Sequence, residues 1–287
     1  MHTPLPIAAL AAASHVAPSL VAPFFRRLML KPRRHVRPPP TLDLPTGQER
    51  LDLGDGLIAW RWSPGQAQVP TVLLVHGFEG HRGQFAAMVD ALMERGYAAV
   101  AIDVPAHGDS EGDELTAVIF TDALERALDR LAPIHAVIGH SMGGAMALHT
   151  LATRTAGRCT APRVALISAP SALGRELRRF AASIGLSRRG TRAFIRSVEK
   201  HVGRPADDFD VRNVAASIDM PVLLIHDQND RQVPVFESAR AAHMLSTADL
   251  MVTQGLGHNR LLADPKVIAA VVRFVGAHET MGSVSTL

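Results

Sequence analysis

A single cysteine, Cys159, stands in a chain of 287 residues. No disulfide can form within the chain, and the spaced cysteine pairs of a zinc site are missing. With no second thiol for a redox couple, Cys159 reads as an idle or buried side chain. Charge is also scarce: charged residues make up 20% of the sequence and the formal net charge is only +3. The basic balance comes from arginines spread along the chain rather than from a lysine-rich tail, which argues against a nucleic-acid partner. No internal repeat, low-complexity tract, glycine-rich nucleotide loop or spaced set of metal ligands is present, so neither an organic cofactor nor a metal is expected. Apolar residues, by contrast, fill 47% of the sequence. That is enough to bury a sizeable core, and one main domain is the natural expectation at this length.

The first forty residues stand apart. Ile7 to Phe25 is almost wholly apolar, yet Met1 to Pro6 lacks the Lys or Arg that precedes the apolar run of a secretory signal. His15, Pro18 and Pro23 interrupt the run where a membrane-spanning helix would tolerate them poorly. The favoured reading is a short helix packed on the domain of a cytoplasmic protein. The alternative is a helix lying on a membrane surface, a peripheral contact in which Arg26, Arg27, Lys31, Arg33 and Arg34 face lipid head groups. Pro38, Pro39 and Pro40 then read as a stiff extended connector. The expected division is residues 1–48 for this segment and connector, 49–278 for the main domain and 279–287 for a tail.

From Glu49 the pattern changes. The Asp55-Gly56 turn before Leu57 to Trp62 suggests an opening hairpin. Thr71 to Val75 is a continuous β-branched run of the kind buried on both faces of a parallel sheet, and a helical stretch from Gln84 to Arg95 follows it. Strand and helix then alternate: strands at 98–104, 136–139, 164–168, 222–225 and 250–253, helices at 115–131, 142–153, 235–245 and 265–277. Such alternation predicts a mostly parallel sheet with helices on both faces. It is interrupted at about 171–218, which reads as a small helical cap. Its Arg175, Arg178, Arg179, Arg188, Arg189, Arg192 and Arg196 read as a solvated outer face.

The chemistry concentrates at Gly139-His140-Ser141-Met142-Gly143, set between a buried strand and a helix. With glycine and serine each at about 7%, a Gly-x-Ser-x-Gly match arises by chance in about one chain in ten of this size; the strand-to-helix setting makes it informative. A serine on so sharp a turn needs small neighbours, which Gly139, Gly143 and Gly144 provide. The helix beginning at Met142 adds its positive end and an unpaired backbone N–H. A serine hydroxyl needs a base. Among fourteen histidines, His258 alone after Ser141 follows the last strand within a glycine-flanked loop, Gly255-Leu256-Gly257-His258-Asn259. For the acid that orients it, Asp227 and Asp230 both follow the strand 221–226. Asp230, deeper in the loop before Val233-Pro234, is favoured, with Asp227 shaping the turn.

These residues resemble the α/β-hydrolase fold superfamily over about Leu51 to Ala277. Besides the serine motif and its Ser141, Asp230, His258 order, His76-Gly77-Phe78 is similar to the family's oxyanion loop. Asp103-Val104-Pro105-Ala106-His107-Gly108-Asp109-Ser110 is similar to its next loop, except that Ala106 stands where glycine is usual. The resemblance implies an α/β-hydrolase fold, with a mostly parallel central sheet, helices on both faces and a small helical cap insertion. It also implies an oxyanion hole made by the backbone N–H groups of Phe78 and Met142. Glu79 and His81 read as exposed loop residues. The expected function is a serine hydrolase that cleaves an ester-like acyl bond of a small-molecule substrate through an acyl-enzyme on Ser141. Thioester, acyl-transfer, amide and peptide chemistry use the same triad, and a non-catalytic binding module of hydrolase shape is the rival from another class. Dehalogenases and epoxide hydrolases of this fold carry aspartate where Ser141 stands.

Overall fold

The computed structural model describes residues 5–33, 45–65, 68–154 and 163–277. Cys159, the connector prolines 38–40 and the tail 279–287 lie outside the described residues. The chain opens with α1 (Leu5–Ala13) and α2 (Pro18–Leu30), followed by the antiparallel hairpin β1 (Glu49–Asp52) and β2 (Ile58–Trp62). Then come β3 (Thr71–Val75), α3 (Ala86–Glu94), β4 (Ala98–Asp103), α4 (Ala117–Leu131), β5 (Ile134–His140), α5 (Met142–Arg154) and β6 (Arg163–Ile167). Two cap helices follow, α6 (Leu173–Ser183) and α7 (Arg188–Val202), with three short 3₁₀ turns over 206–217. The fold closes with β7 (Val222–Asp227), α8 (Phe236–Met244), β8 (Ala248–Thr253), the single turn α9 (Gly257–Arg260) and α10 (Pro265–Gly276).

The eight strands form one sheet in the order β1-β2-β4-β3-β5-β6-β7-β8, parallel from β4 to β8. Strand β3 shows why a continuous apolar run was required. Leu73 and Val75 join the core on one face, with α4, α5 and α8, while Val72 and Leu74 join the core on the other, with α3 and α10. Local signals start the helices where tertiary packing can use them. Thr116 accepts the Ile119 N–H and caps α4, and Asp264 accepts the Lys266 and Val267 N–H groups ahead of Pro265 in α10. Because β5, β6 and β7 run side by side, their carboxyl ends and the loops after them meet along one edge of the sheet.

The apolar N-terminal run forms two helices rather than one, broken where Ala17 precedes Pro18. The pair packs on the cap: Ala11, Val21 and Phe25 share a buried cluster with Leu177 and Ala181 of α6 and with Phe194 and Val198 of α7. Polar contacts fix the register. Ser14 accepts the Ser187 N–H at 3.0 Å, the Ser187 hydroxyl donates to the Ser14 carbonyl at 2.9 Å, and the Leu115 N–H donates to the Leu30 carbonyl at 2.8 Å. Gly190 is required at the crossing, since a Cβ there would lie 2.6 Å from the Cβ of Ser14. No helix among the described residues is long and apolar enough to cross a membrane.

Candidate active site

Ser141 sits in the left-handed backbone region, at φ +53°, between β5 and α5. Such a conformation is costly for a residue with a Cβ and persists only where surroundings enforce it. They do so here. The Ser141 N–H donates to the Ile167 carbonyl on β6 at 2.9 Å, and the Gly144 N–H donates to the Ser141 carbonyl at 3.0 Å. The small neighbours have steric reasons: a Cβ on Gly139 would fall 2.4 Å from the Cα of Gly144, and one on Gly143 would fall 2.4 Å from the Val75 and His76 carbonyl oxygens.

His258 lies in α9 rather than in an irregular loop; Gly255 (φ +86°) and Gly257 (φ +69°) turn the chain from β8 into it. Its Nδ1 donates to Oδ2 of Asp230 at 2.7 Å, leaving Nε2 as the free lone pair. Both residues are buried. Burial alone would raise the Asp230 pKa, but hydrogen bonds from His226 and His258 and the His258 charge outweigh it and hold the carboxyl far below the usual carboxylate range. The other Asp230 oxygen accepts the Gln232 and Val233 N–H groups at 2.8 and 2.9 Å. Asp227 is no competitor for the imidazole. It accepts the N–H groups of Asn229, Leu256 and Gly257 and the Thr253 hydroxyl, all within 3.0 Å, and so shapes the loop leading to His258. Burial opposes its ionisation, yet these donors keep its pKa below the ordinary value.

Two buried histidines adjoin the site without a signal in the sequence beyond their place in its motifs. His140 Nε2 bonds the His258 carbonyl at 2.9 Å; burial and the neighbouring His258 push its pKa down to about 4. It therefore stays neutral and tethers α9 to the end of β5. His76 accepts the Val104 N–H on Nε2 and bonds the Gly77 carbonyl through Nδ1 at 2.8 Å, with its pKa lowered to about 3 by burial and by His107. It pins the loop that carries Phe78. A Cβ on Gly77 would lie 2.8 Å from the Ser141 Cβ and 3.3 Å from the Met142 nitrogen, so this loop passes directly over the serine turn. The Phe78 and Met142 N–H groups have no acceptor among the described residues. Beneath them the buried Asp103 accepts from Arg82 at 2.6 Å and from the Asp109 N–H at 3.1 Å. Ala106, at φ +66°, occupies a conformation that favours glycine, the residue that the family resemblance leads one to expect there.

Ser141 and His258 line one cavity of about 380 Å³, together with Phe78, Met142 and Met29 of α2. Glu176 and Arg179 of α6 reach it from the cap. Of the seven cap arginines named from the sequence six are exposed, but Arg179 is not: it donates to Glu176 at 2.7 Å and to the buried Glu237 of α8 at 3.1 Å. The expectation of an all-solvent arginine face fails at this position because the register of α6 turns it inward. Burial pushes Glu176 up to about 7, Arg179 opposing and Glu237 adding to the rise. Glu79 and His81 are half-buried rather than exposed; Glu79 borders the cavity and bonds Arg33. No group of three or more His, Cys, Asp or Glu among the described residues is placed to hold a metal ion.

Fold and site define the class, a hydrolase of the α/β type with a serine at its strand-to-helix turn and, facing the same cavity, a histidine bonded to an aspartate. The chain belongs to the alpha/beta hydrolase family, whose model matches residues 72–271. A pimeloyl-[acyl-carrier protein] methyl ester esterase from Xanthomonas campestris is 30% identical, over 72% of this chain and 96% of its own. Among solved structures, an esterase from Pyrococcus furiosus is 24% identical with a TM-score of 0.60, over 86% of this chain and 96% of that one. A monoacylglycerol lipase from Paleococcus ferrophilus is 18% identical with a TM-score of 0.57, over 76% and 98%. These two likenesses concern the fold.

Proposed function

We propose that the protein is a carboxylic ester hydrolase working through an acyl-enzyme on Ser141. The observation that carries this reading is the 2.7 Å His258–Asp230 bond opening on the same cavity as a serine held at positive φ. With Nδ1 committed to Asp230, His258 Nε2 takes the Ser141 proton as Oγ attacks the acyl carbonyl. The Phe78 and Met142 N–H groups and the positive end of α5 stabilise the oxyanion. The tetrahedral intermediate collapses, His258 protonates the leaving alkoxide, and water repeats the sequence to release the acid. The Xanthomonas campestris relative, named for a methyl ester of an acyl group, supports an acyl ester as the substrate. Segment 171–218 acts as the cap that selects it, on a main domain of 49–278. Hydrolysis of p-nitrophenyl butanoate tests the reading: a pre-steady-state burst of p-nitrophenol, one per chain, is expected where deacylation is the slower step, and absence of turnover of any ester contradicts it.

The N-terminal helices carry a second part of this reading, a peripheral contact with an anionic lipid surface. Val16, Leu20, Phe24 and Leu28 recur every fourth residue and are 87%, 82%, 44% and 39% exposed, so they form an outward apolar stripe opposite the face packed on the cap. Arg27 and Lys31 project from the same side, also exposed. No acidic residue precedes Asp43, whereas Arg26, Arg27, Lys31, Arg33, Arg34 and Arg37 do. Apolar insertion together with basic attraction suits a membrane interface. Vesicles of phosphatidylcholine with phosphatidylglycerol are expected to bind the protein in flotation, and Leu20→Asp/Phe24→Asp to lose roughly tenfold or more in affinity. Equal binding by the double variant contradicts the contact.

A further inference from the structure

The cavity onto which Ser141 opens does not end at the oxyanion loops. Adjoining it is a second, smaller cavity of about 40 Å³, bounded by α2, the start of α4 and the cap helices α6 and α7. Three residues, Met29, Phe78 and Met142, line both spaces and form the partition between them. The rest of the inner lining is apolar except for Thr116, and its hydroxyl is already engaged in capping α4. A dry space of this kind offers water no partners and takes an apolar guest; at about 15 Å³ for a water-sized probe it has room for roughly three such volumes, or a few methylenes.

Two of the three, Met29 and Met142, carry unbranched thioether chains, and of these only Met29 stands outside the turns of the catalytic machinery. Phe78 and Met142 are held by the turns that present their N–H groups, whereas Met29 is half-buried near the end of α2 and belongs to neither turn. An unbranched thioether chain changes rotamer at little cost and fills or vacates irregular gaps. α2 itself is anchored through Phe25, Val21 and the Leu30 carbonyl, so the Met29 side chain can move while its helix stays. A carbonyl carbon attacked by Ser141, with its oxygen on the Phe78 and Met142 N–H groups, lies beside the wall that those two residues and Met29 build. The N-terminal helices lie outside residues 72–271, so Met29 is the part of this wall that comes from beyond the family-matched segment.

We infer that Met29 is a specificity-determining residue whose side chain gates an acyl-tail compartment beneath α2, making the substrate an ester of an unbranched, apolar acyl chain long enough to pass it. The inference rests on the reading of Ser141 as the acyl acceptor, which fixes which end of the substrate enters.

The test compares kcat/KM for p-nitrophenyl acetate, butanoate, octanoate and dodecanoate in the wild type, Met29→Trp, Met29→Ala and Val202→Phe. Val202 lines only the inner cavity, is partly buried, and fills it from the cap side. The wild type favours octanoate over acetate, and Met29→Trp and Val202→Phe each lower the octanoate-to-acetate ratio by about tenfold or more, the range expected when a pocket loses methylene contacts. Met29→Ala shifts the preference toward dodecanoate. Should Met29→Trp fail to fold, Val202→Phe carries the comparison. A chain-length profile that is the same in wild type, Met29→Ala and Val202→Phe overturns the inference while leaving ester hydrolysis intact. A second readout does not depend on turnover: octanamide binding to Ser141→Ala by calorimetry, expected to be tenfold or more weaker when Val202→Phe is added. Loss of binding on that addition supports the compartment even if no ester is hydrolysed, and unchanged binding counts against it.

Discussion

Ser141→Ala is expected to lose about 10⁴-fold or more in kcat on an activated ester, because it removes the proposed attacking oxygen, while Ser183, the other serine on the cavity, donates to the Phe180 carbonyl. Folding is expected to survive. The strain at this position belongs to the backbone, at φ +53°, and alanine inherits it unchanged. Ser141→Gly separates the two properties further. Glycine adopts a positive φ without steric penalty, so this variant is equally inactive yet more stable by about 1 kcal/mol, which for a domain of this size raises the melting temperature by about 2 °C. An inactive variant that melts higher than the wild type is the signature of a residue kept for chemistry against its own conformational preference. A Ser141→Gly protein that is both inactive and less stable than wild type would mean instead that the serine side chain helps to hold the turn. Activity and calorimetric melting of the two variants decide between these outcomes.

The second large effect separates two neighbouring aspartates. Asp230→Asn keeps the shape of the side chain but removes the charge that fixes His258 with its proton on Nδ1, and an asparagine amide aimed at the ring favours the opposite tautomer. A drop of about 10⁴ in kcat follows, with little change in KM. Asp227→Asn replaces one of two oxygens that together accept four hydrogen bonds, so two are lost, one of them from the Leu256 or Gly257 N–H just before His258. Leaving buried donors short of a partner costs about 1–3 kcal/mol. It should therefore lower stability first and activity less, through misplacement of α9. Steady-state kinetics beside urea unfolding of both variants provides the check. The larger kinetic loss falling on Asp227→Asn would reverse the assignment of the acid.

Much of this arrangement was legible in the sequence because local sterics impose it. Gly139, Gly143 and Gly144 reveal the turn at Ser141 since any side chain there would collide with backbone, and Pro265 after Asp264 marks the last helix. Asp230 could be preferred over Asp227 because a residue at the end of a strand is committed to the turn, whereas one three residues later can face the next loop. What could not be read depends on contacts across distant segments. The tether from His140 to His258 and the clamp of His76 on Val104 exist only because β3, β4 and β5 lie side by side and the loop after β8 folds over them. The helical spacing of the cap arginines did not reveal which one faces inward; Glu237 on α8 draws both Arg175, at 2.8 Å, and Arg179, at 3.1 Å, and Arg179 alone also reaches Glu176. Strand β8 begins at Ala248 rather than Leu250, since the half-exposed edge leaves Ala248 and Asp249 without an apolar signal. The Met29 partition was invisible because the sequence does not say which face of α2 meets the cavity.

In the proposed mechanism one activated serine, Ser141, takes up the acyl group. The most direct test is the mass-spectrometric location of a fluorophosphonate adduct on the 287-residue chain, with Ser141→Ala beside it. One adduct per chain is expected, on the peptide that carries Ser141, and none on the variant. An adduct on a different serine, or none on folded wild-type protein, would contradict it.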